Sequence, residues 1–309
     1  MAMRLLQLEL ACRADSAVEF AQHARSWLTE ARTELFPELS RRLPSAPALR
    51  SQTGDFDAVI GPPGATWADV GVYREANPFS GTSIELYKPR SWQRLLDTLA
   101  AVCPIRVSLM MTPLDGTGRL VDSRATVSVV ISRDHDDPRW LRFMMGAPDD
   151  LVSWPRSVRI QEEWVNFVES WAARLDACYG HVTDDADDIS GTALEMATQT
   201  LGIDPPTVPR CREVLRGYSW VTVCAPELAQ RLGGAPALIA SGAFHQVREL
   251  PGGQVLLRAT PLLEQYEGAA VERVFRVLAP VLLPGRATKT RAPVGARLVV
   301  GADAADYQR

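Results

Sequence analysis

Residues 216–234 read RGYSWVTVCAPELAQRLGG, and two different periodicities meet inside them. In YSWVTVC, Tyr218, Trp220, Thr222 and Cys224 alternate with Ser219, Val221 and Val223. Apolar side chains on both sides of a two-residue repeat predict a strand covered at least partly on both faces. Pro226 then sits where a first helical turn tolerates a missing N–H, Leu228 and Leu232 form an apolar pair, and Gly233 stops the helix in a conformation that glycine adopts cheaply. AFHQVREL, the turn PGG and QVLLRAT follow as a hairpin, and GAAVERVFRVLAPVLL closes the set as a helix burying Val271, Val274, Phe275 and Leu278.

Outward from this module the same ingredients recur. RLLQLELAC predicts a strand, although Gln7 and Glu9 interrupt its apolar run. Ser16 with Glu19 three residues later marks a helix start, and Phe20, Ala24, Trp27, Leu28, Ala31 and Leu35 share one face. TSIELYKPRSWQRLLDTLAAVCP reads as a strand turning into a helix lined by Trp92, Leu95, Leu96, Leu99 and Val102; IRVSLMMT, DGTG and ATVSVVIS then make a hairpin. Ile160 to Cys178 carries Trp164, Phe167, Val168, Trp171, Leu175 and Cys178 on one stripe, and YGHVTDDADDISGTALEMATQTL gives a short strand, an acidic loop and a helix opened by Thr192 with Glu195. The expected fold is α+β, with mainly antiparallel sheets and helices packed on one face. Pro89 precedes Arg94-Leu95 by the intervals at which Pro226 precedes Arg231-Leu232. That echo allows two related strand-helix-hairpin lobes, about 1–150 and 151–285, within one globular unit spanning 1–285. The prolines and glycines of 37–81 predict a long irregular segment with one short strand at ADVGVY. Residues 286–309 read as a loose tail in which ARLVV is a possible edge strand.

Composition narrows the function classes. The 309 residues are 46% hydrophobic and 23% charged, as in ordinary globular chains, and no apolar run reaches membrane-spanning length. A net charge of −4 gives no electrostatic footprint for nucleic acid. Cys12, Cys103, Cys178, Cys211 and Cys224 are scattered and odd in number, which predicts buried reduced thiols. MAMRLLQLELACRAD reads as a strand rather than a secretory signal, so a cytoplasmic protein is expected. Neither a membrane nor a nucleic acid is an expected partner.

Two acidic stretches are the candidate sites. SRDHDDPRW holds Asp134, His135, Asp136 and Asp137; GHVTDDADD holds His181 with Asp184, Asp185, Asp187 and Asp188. Imidazole and carboxylates can ligate a metal, but neighbours in sequence rarely converge on one ion, and the second stretch lacks the spacing and final glutamate of a calcium loop. The expectation is therefore no metal and no cofactor, with Asp134–Asp137 and Asp184–Asp188 as docking surfaces for a basic partner. Strand-to-helix serine elbows and phosphate loops are lacking, since GPPG, GTG and PGG have no following lysine and hydroxyl. The alternative is an enzyme whose site is assembled from Arg133, Asp134, His135 and His181.

Trp220, Thr222, Leu232, Gly233, Gly234, Gly252, Gly253 and the helix ending near Pro280 resemble the C-terminal portion of the type VI immunity family, bacterial proteins associated with neutralising secreted toxins. The resemblance covers about the last 110 residues and extends to CYGHVTDD. It implies a non-catalytic inhibitor whose partner is a cognate toxin or another protein, and it supplies no catalytic residues.

Overall fold

A computed structural model describes residues 5–43, 59–74, 81–121, 125–134, 136–148, 157–185, 191–198, 208–288 and 295–308. The chain forms two compact units, Ala14–Leu151 and a discontinuous one made of Met1–Arg13 with Val152–Arg309. It is α+β, with ten strands and eight α-helices among the described residues, and every strand pair within each unit is antiparallel. No described helix is long and apolar enough to cross a membrane.

In the first unit, helix α1 (Ala17–Glu30) starts where Ser16 Oγ accepts the Glu19 N–H at 3.1 Å. The returning glutamate carboxylate accepts from Asp15 N–H, one residue earlier than an ideal capping box. Its buried stripe is Phe20, Ala24, Trp27 and Leu28, and Trp27 meets Phe143 edge to face at 5.4 Å. A π-helical turn (Ala31–Leu35) and a short α2 (Pro37–Arg41) follow, so part of the stretch expected to be irregular is helical. Strand β2 (Thr66–Tyr73) covers the short strand anticipated there, and β3 (Thr82–Leu86) pairs with it. Pro89 opens α3 (Pro89–Val102), which buries Trp92, Leu95, Leu96 and Leu99. β4 (Arg106–Pro113), β5 (Val127–Arg133) and β6 (Trp140–Pro148) complete a sheet of order β3-β2-β4-β5-β6, in which Leu109 faces Val129 and Val129 faces Met145.

The second unit orders its strands β1 (Leu5–Arg13), β7 (Tyr179–Thr183), β8 (Val221–Cys224), β10 (Val255–Arg258) and β9 (Gln246–Glu249). All four β8 residues are buried, as two-sided covering requires. Tyr218 to Trp220 precede the strand: Ser219 donates to Val221 O at 2.6 Å and its N–H donates to Thr222 Oγ1, a local turn that delays the ladder. Helix α4 (Val158–Arg174) buries Trp164, Phe167, Val168 and Trp171. Each large side chain so removed from water contributes about 1.5–3 kcal/mol. The remaining helices are α5 (Ala193–Thr198), α6 (Pro226–Arg231), α7 (Gly234–Ala240) and α8 (Ala269–Leu278). Gly233, with φ of 88°, makes the reversal between α6 and α7 that a side chain would strain.

The strand-helix-hairpin order does occur in both units, but the pairing differs. Among the described residues β3 pairs with β2 alone, whereas β8 lies between β7 and β10. The C-terminal segment is also not a loose arm. Residues 296–300 form no strand, a 3-10 turn covers Ala304–Tyr307, Gly301 N–H donates to Ala287 O at 2.9 Å, and Tyr307 packs edge-on against Phe275.

Two of the five cysteines are not thiols: Cys178 and Cys211 form a disulfide with Cα atoms 5.8 Å apart. Cys12, Cys103 and Cys224 are not part of a disulfide. Crossing 33 residues, the bridge removes unfolded-chain entropy worth about 3–4 kcal/mol. A Cys178→Ala/Cys211→Ala variant should lose that much in urea unfolding, and reductant should bring the wild type to the same midpoint. A wild-type midpoint unmoved by reductant contradicts this.

Candidate functional site

The opening residue of the deciding stretch, Arg216, is 3% exposed and sits between two buried carboxylates. Its Nη1 donates to Glu9 Oε1, and its Nε donates to Glu195 Oε1 at 2.9 Å. The guanidinium also lies over the Tyr179 ring, 4.9 Å from the centroid. Each partner is placed by local structure. Glu9 points in from β1, and Glu195 belongs to the first turn of α5, where Thr192 N–H donates to Glu195 Oε2 at 2.9 Å and Glu195 N–H donates to Thr192 Oγ1 at 3.2 Å. That is the reciprocal capping box the sequence spacing predicts. Gly191 N–H donates to the second Glu9 oxygen at 3.2 Å, and Gly217 leaves the space that Thr192 fills. Burial opposes the charge on Arg216, but Glu195 and Glu9 outweigh it and hold its pKa above the ordinary arginine value.

The second polar cluster joins the aspartates after β7 to the C-terminal segment. Asp184 and Asp185 are 6% and 8% exposed, so they do not present charge to solvent. Arg297 pairs through its guanidinium with Asp184 and through its backbone N–H with Asp185 Oδ2 at 2.6 Å. Thr183 and Asp185 share a hydrogen bond, and Val299 N–H donates to Tyr218 Oη at 2.9 Å. Burial pushes the Asp185 carboxyl above the usual carboxylate range, against the opposing pull of Thr183 and Arg297. Burial likewise raises Tyr218 and Tyr266. Asp187 and Asp188 lie outside the described residues.

Asp134, Asp136 and Asp137 form a turn between β5 and β6. Asp134 Oδ1 accepts from the N–H groups of Asp136 and Asp137, each at 3.0 Å, and Asp137 binds Arg139 through two nitrogens at 2.8 and 2.7 Å. Asp136 is exposed, while Asp134 and Asp137 are half-buried. Arg133 is fixed by the carbonyls of Pro138 and Cys103 and lies over Phe20. His135 lies outside the described residues. His181 is fully buried in β7, with Nδ1 3.1 Å from Tyr179 Oη. Among the described residues no group of three or more His, Cys, Asp or Glu side chains is arranged to hold a metal ion. Burial also lifts the Cys224 thiol to about 12, so it stays protonated and is a poor nucleophile.

Sequence reasoning did not find the Glu9–Arg216–Glu195 cluster. Its one local signal was a glutamate inside an apolar strand, which a buried position must pair.

No known protein family and no curated protein matches the chain. A solved structure of a Pseudomonas aeruginosa T6SS protein resembles it with a TM-score of 0.53 and 15% identity, over 98% of this chain and 80% of that one. At that identity the likeness shows the fold alone.

Two outcomes follow from the buried charges. Arg216→Ala leaves two carboxylates uncompensated and should cost about 3–5 kcal/mol, read by urea unfolding at pH 7; a loss within experimental error contradicts the arrangement. For Asp185 the folded-state pKa lies above the unfolded one, so its contribution is present below the unfolded value and fades as pH rises through the folded value. Asp185→Asn, which keeps hydrogen bonding without ionisation, should therefore unfold at a higher midpoint than wild type at pH 8 and converge with it near pH 4. A gap that widens toward acid reverses the sign and defeats this account.

Proposed function

We propose that this chain is a non-catalytic, protein-binding partner of a type VI secretion system, acting as an immunity-type inhibitor that occludes a toxin by surface complementarity. The observation that carries the reading is the fold shared with a T6SS protein across 98% of the chain. The resemblance of about the last 110 residues to the type VI immunity family points the same way.

The chemistry of the interior supports it. Buried carboxylates are engaged by arginines: Glu9 and Glu195 by Arg216, and Asp184 by Arg297. A guanidinium held between two carboxylates stiffens a scaffold, and a rigid scaffold limits the entropy lost when a partner binds. Surface features are then what recognition has to work with. They include the Asp134–Asp137 turn, whose backbone is fixed by its own side chain, and an open cleft of about 540 Å³ bordered by Glu264, Glu267, Glu272, Val271 and Val299.

The test is co-expression with each protein encoded beside its gene. An inhibitor should restore growth to cells producing the toxin among them, and the purified pair should form a stoichiometric complex in calorimetry. Failure to bind any of these proteins, or restored growth without a complex, defeats the reading.

A further inference from the structure

The sheet of the Ala14–Leu151 unit ends in β3, and the ladder register identifies which of its backbone groups face outward. Arg74 N–H donates to Gly81 O at 3.2 Å, and Tyr87 N–H donates to Ala68 O at 2.8 Å. In an antiparallel pair, residues that exchange hydrogen bonds alternate with residues that do not. Positions 81, 83, 85 and 87 therefore turn toward β2, and Ile84, opposite Gly71, turns both its N–H and its C=O away. Leu86 faces outward too; its carbonyl accepts from Ser91 Oγ at 2.8 Å, which leaves its N–H. Among the described residues nothing pairs with these three groups.

The surroundings have a definite chemistry. Ile84 is 41% exposed. Beside it an open cleft of about 500 Å³ is lined by Ile84, Leu86, Lys88, Arg90 and Arg94. Glu85 neutralises Arg94 at 3.0 Å. Lys88 and Arg90 are exposed and have no ion pair among the described residues. Lys88 caps the start of α3 and Arg90 lies in its first turn, where the exposed N–H groups add positive partial charge. Charges on an edge strand often serve only to repel other edges. Here they lie past the end of the strand, beside a cleft, while the strand itself offers an isoleucine and open backbone groups.

We propose that β3 is a docking edge for an acidic, extended segment of a protein partner, which adds a strand alongside Ile84 and sets its carboxylates against Lys88 and Arg90. Main-chain hydrogen bonds supply affinity in such an arrangement, and the cations select the sequence and speed encounter. A second copy of this chain suits the edge less well, because the one acid of β3, Glu85, is already held by Arg94. The inference rests on the protein-binding reading above and adds a place and a charge to it.

The probes are two peptides of about ten residues, one alternating valine with glutamate and one alternating valine with lysine, titrated into the full chain. Wild type should bind the glutamate peptide and ignore the lysine peptide. Ile84→Pro removes an edge donor used by no internal bond and should weaken binding at least tenfold with an unchanged unfolding midpoint. Lys88→Glu/Arg90→Glu, which leaves the backbone intact, should reverse the preference. The proposal is overturned if the glutamate peptide fails to bind, if it binds both variants as tightly as wild type, or if the chain self-associates through this edge. A neighbouring gene product that binds wild type and both variants equally also overturns it while leaving the protein-binding reading intact. Peptide binding lost in both variants supports the edge even if no gene product binds, the result that defeats the broader reading.

Discussion

One guanidinium held between two carboxylates organises the discontinuous unit. Arg216 reaches Glu9 on β1, 207 residues away, and Glu195 at the start of α5, so both ends of the chain's interrupted unit must be in place before all three charges are compensated. The pair interactions do not by themselves make the unit more stable than a well-packed apolar cluster would. Their effect is selective: an arrangement that misplaces β1 or α5 strands a charge in a medium that cannot solvate it. The capping box at Thr192 and the bond from Gly191 to Glu9 close the remaining valences, and the absence of a side chain at Gly217 lets Thr192 approach.

The aspartates after β7 illustrate why charge in a sequence is a poor guide to charge on a surface. An acidic run beside a histidine reads as a solvated loop, yet Asp184 and Asp185 are covered by a segment more than a hundred residues later. Arg297 supplies both its side chain and its backbone N–H to them. The same segment donates to Tyr218, which belongs to the stretch leading into β8. The C-terminal residues thus complete the interior of the unit.

Legibility tracked locality. Helices α1, α3 and α4, the β4–β5 hairpin and the Thr192–Glu195 box were readable because spacing of three or four residues, or of two, states the structure directly. β6 was missed because MMGAP lacks alternation, and its burial on both faces removes the polar half of the signal. α7 was missed because Gly234 and Pro236 resemble a loop when they in fact open a helix. Relations across the chain were illegible: nothing near Cys178 names Cys211, and nothing near Asp184 names Arg297. The echo around Pro89 and Pro226 is silent on pairing, since strand order is decided by tertiary packing. At the β3 edge, Lys88 and Arg90 are visible in the sequence, but the outward turn of Ile84 depends on the register that β3 takes against β2 in the fold.

The division of the chain also bears on how the protein is made. β1 is made well before the strand of its own unit that it pairs with: Leu10 lies opposite Gly180, a wait of about 10–30 s at ordinary elongation rates. Through that interval Leu6, Leu8 and Leu10 have no sheet partner from their own unit, while Ala14–Leu151 has everything its own strands require. The inserted unit can therefore finish folding on the nascent chain while the enclosing one is still being translated.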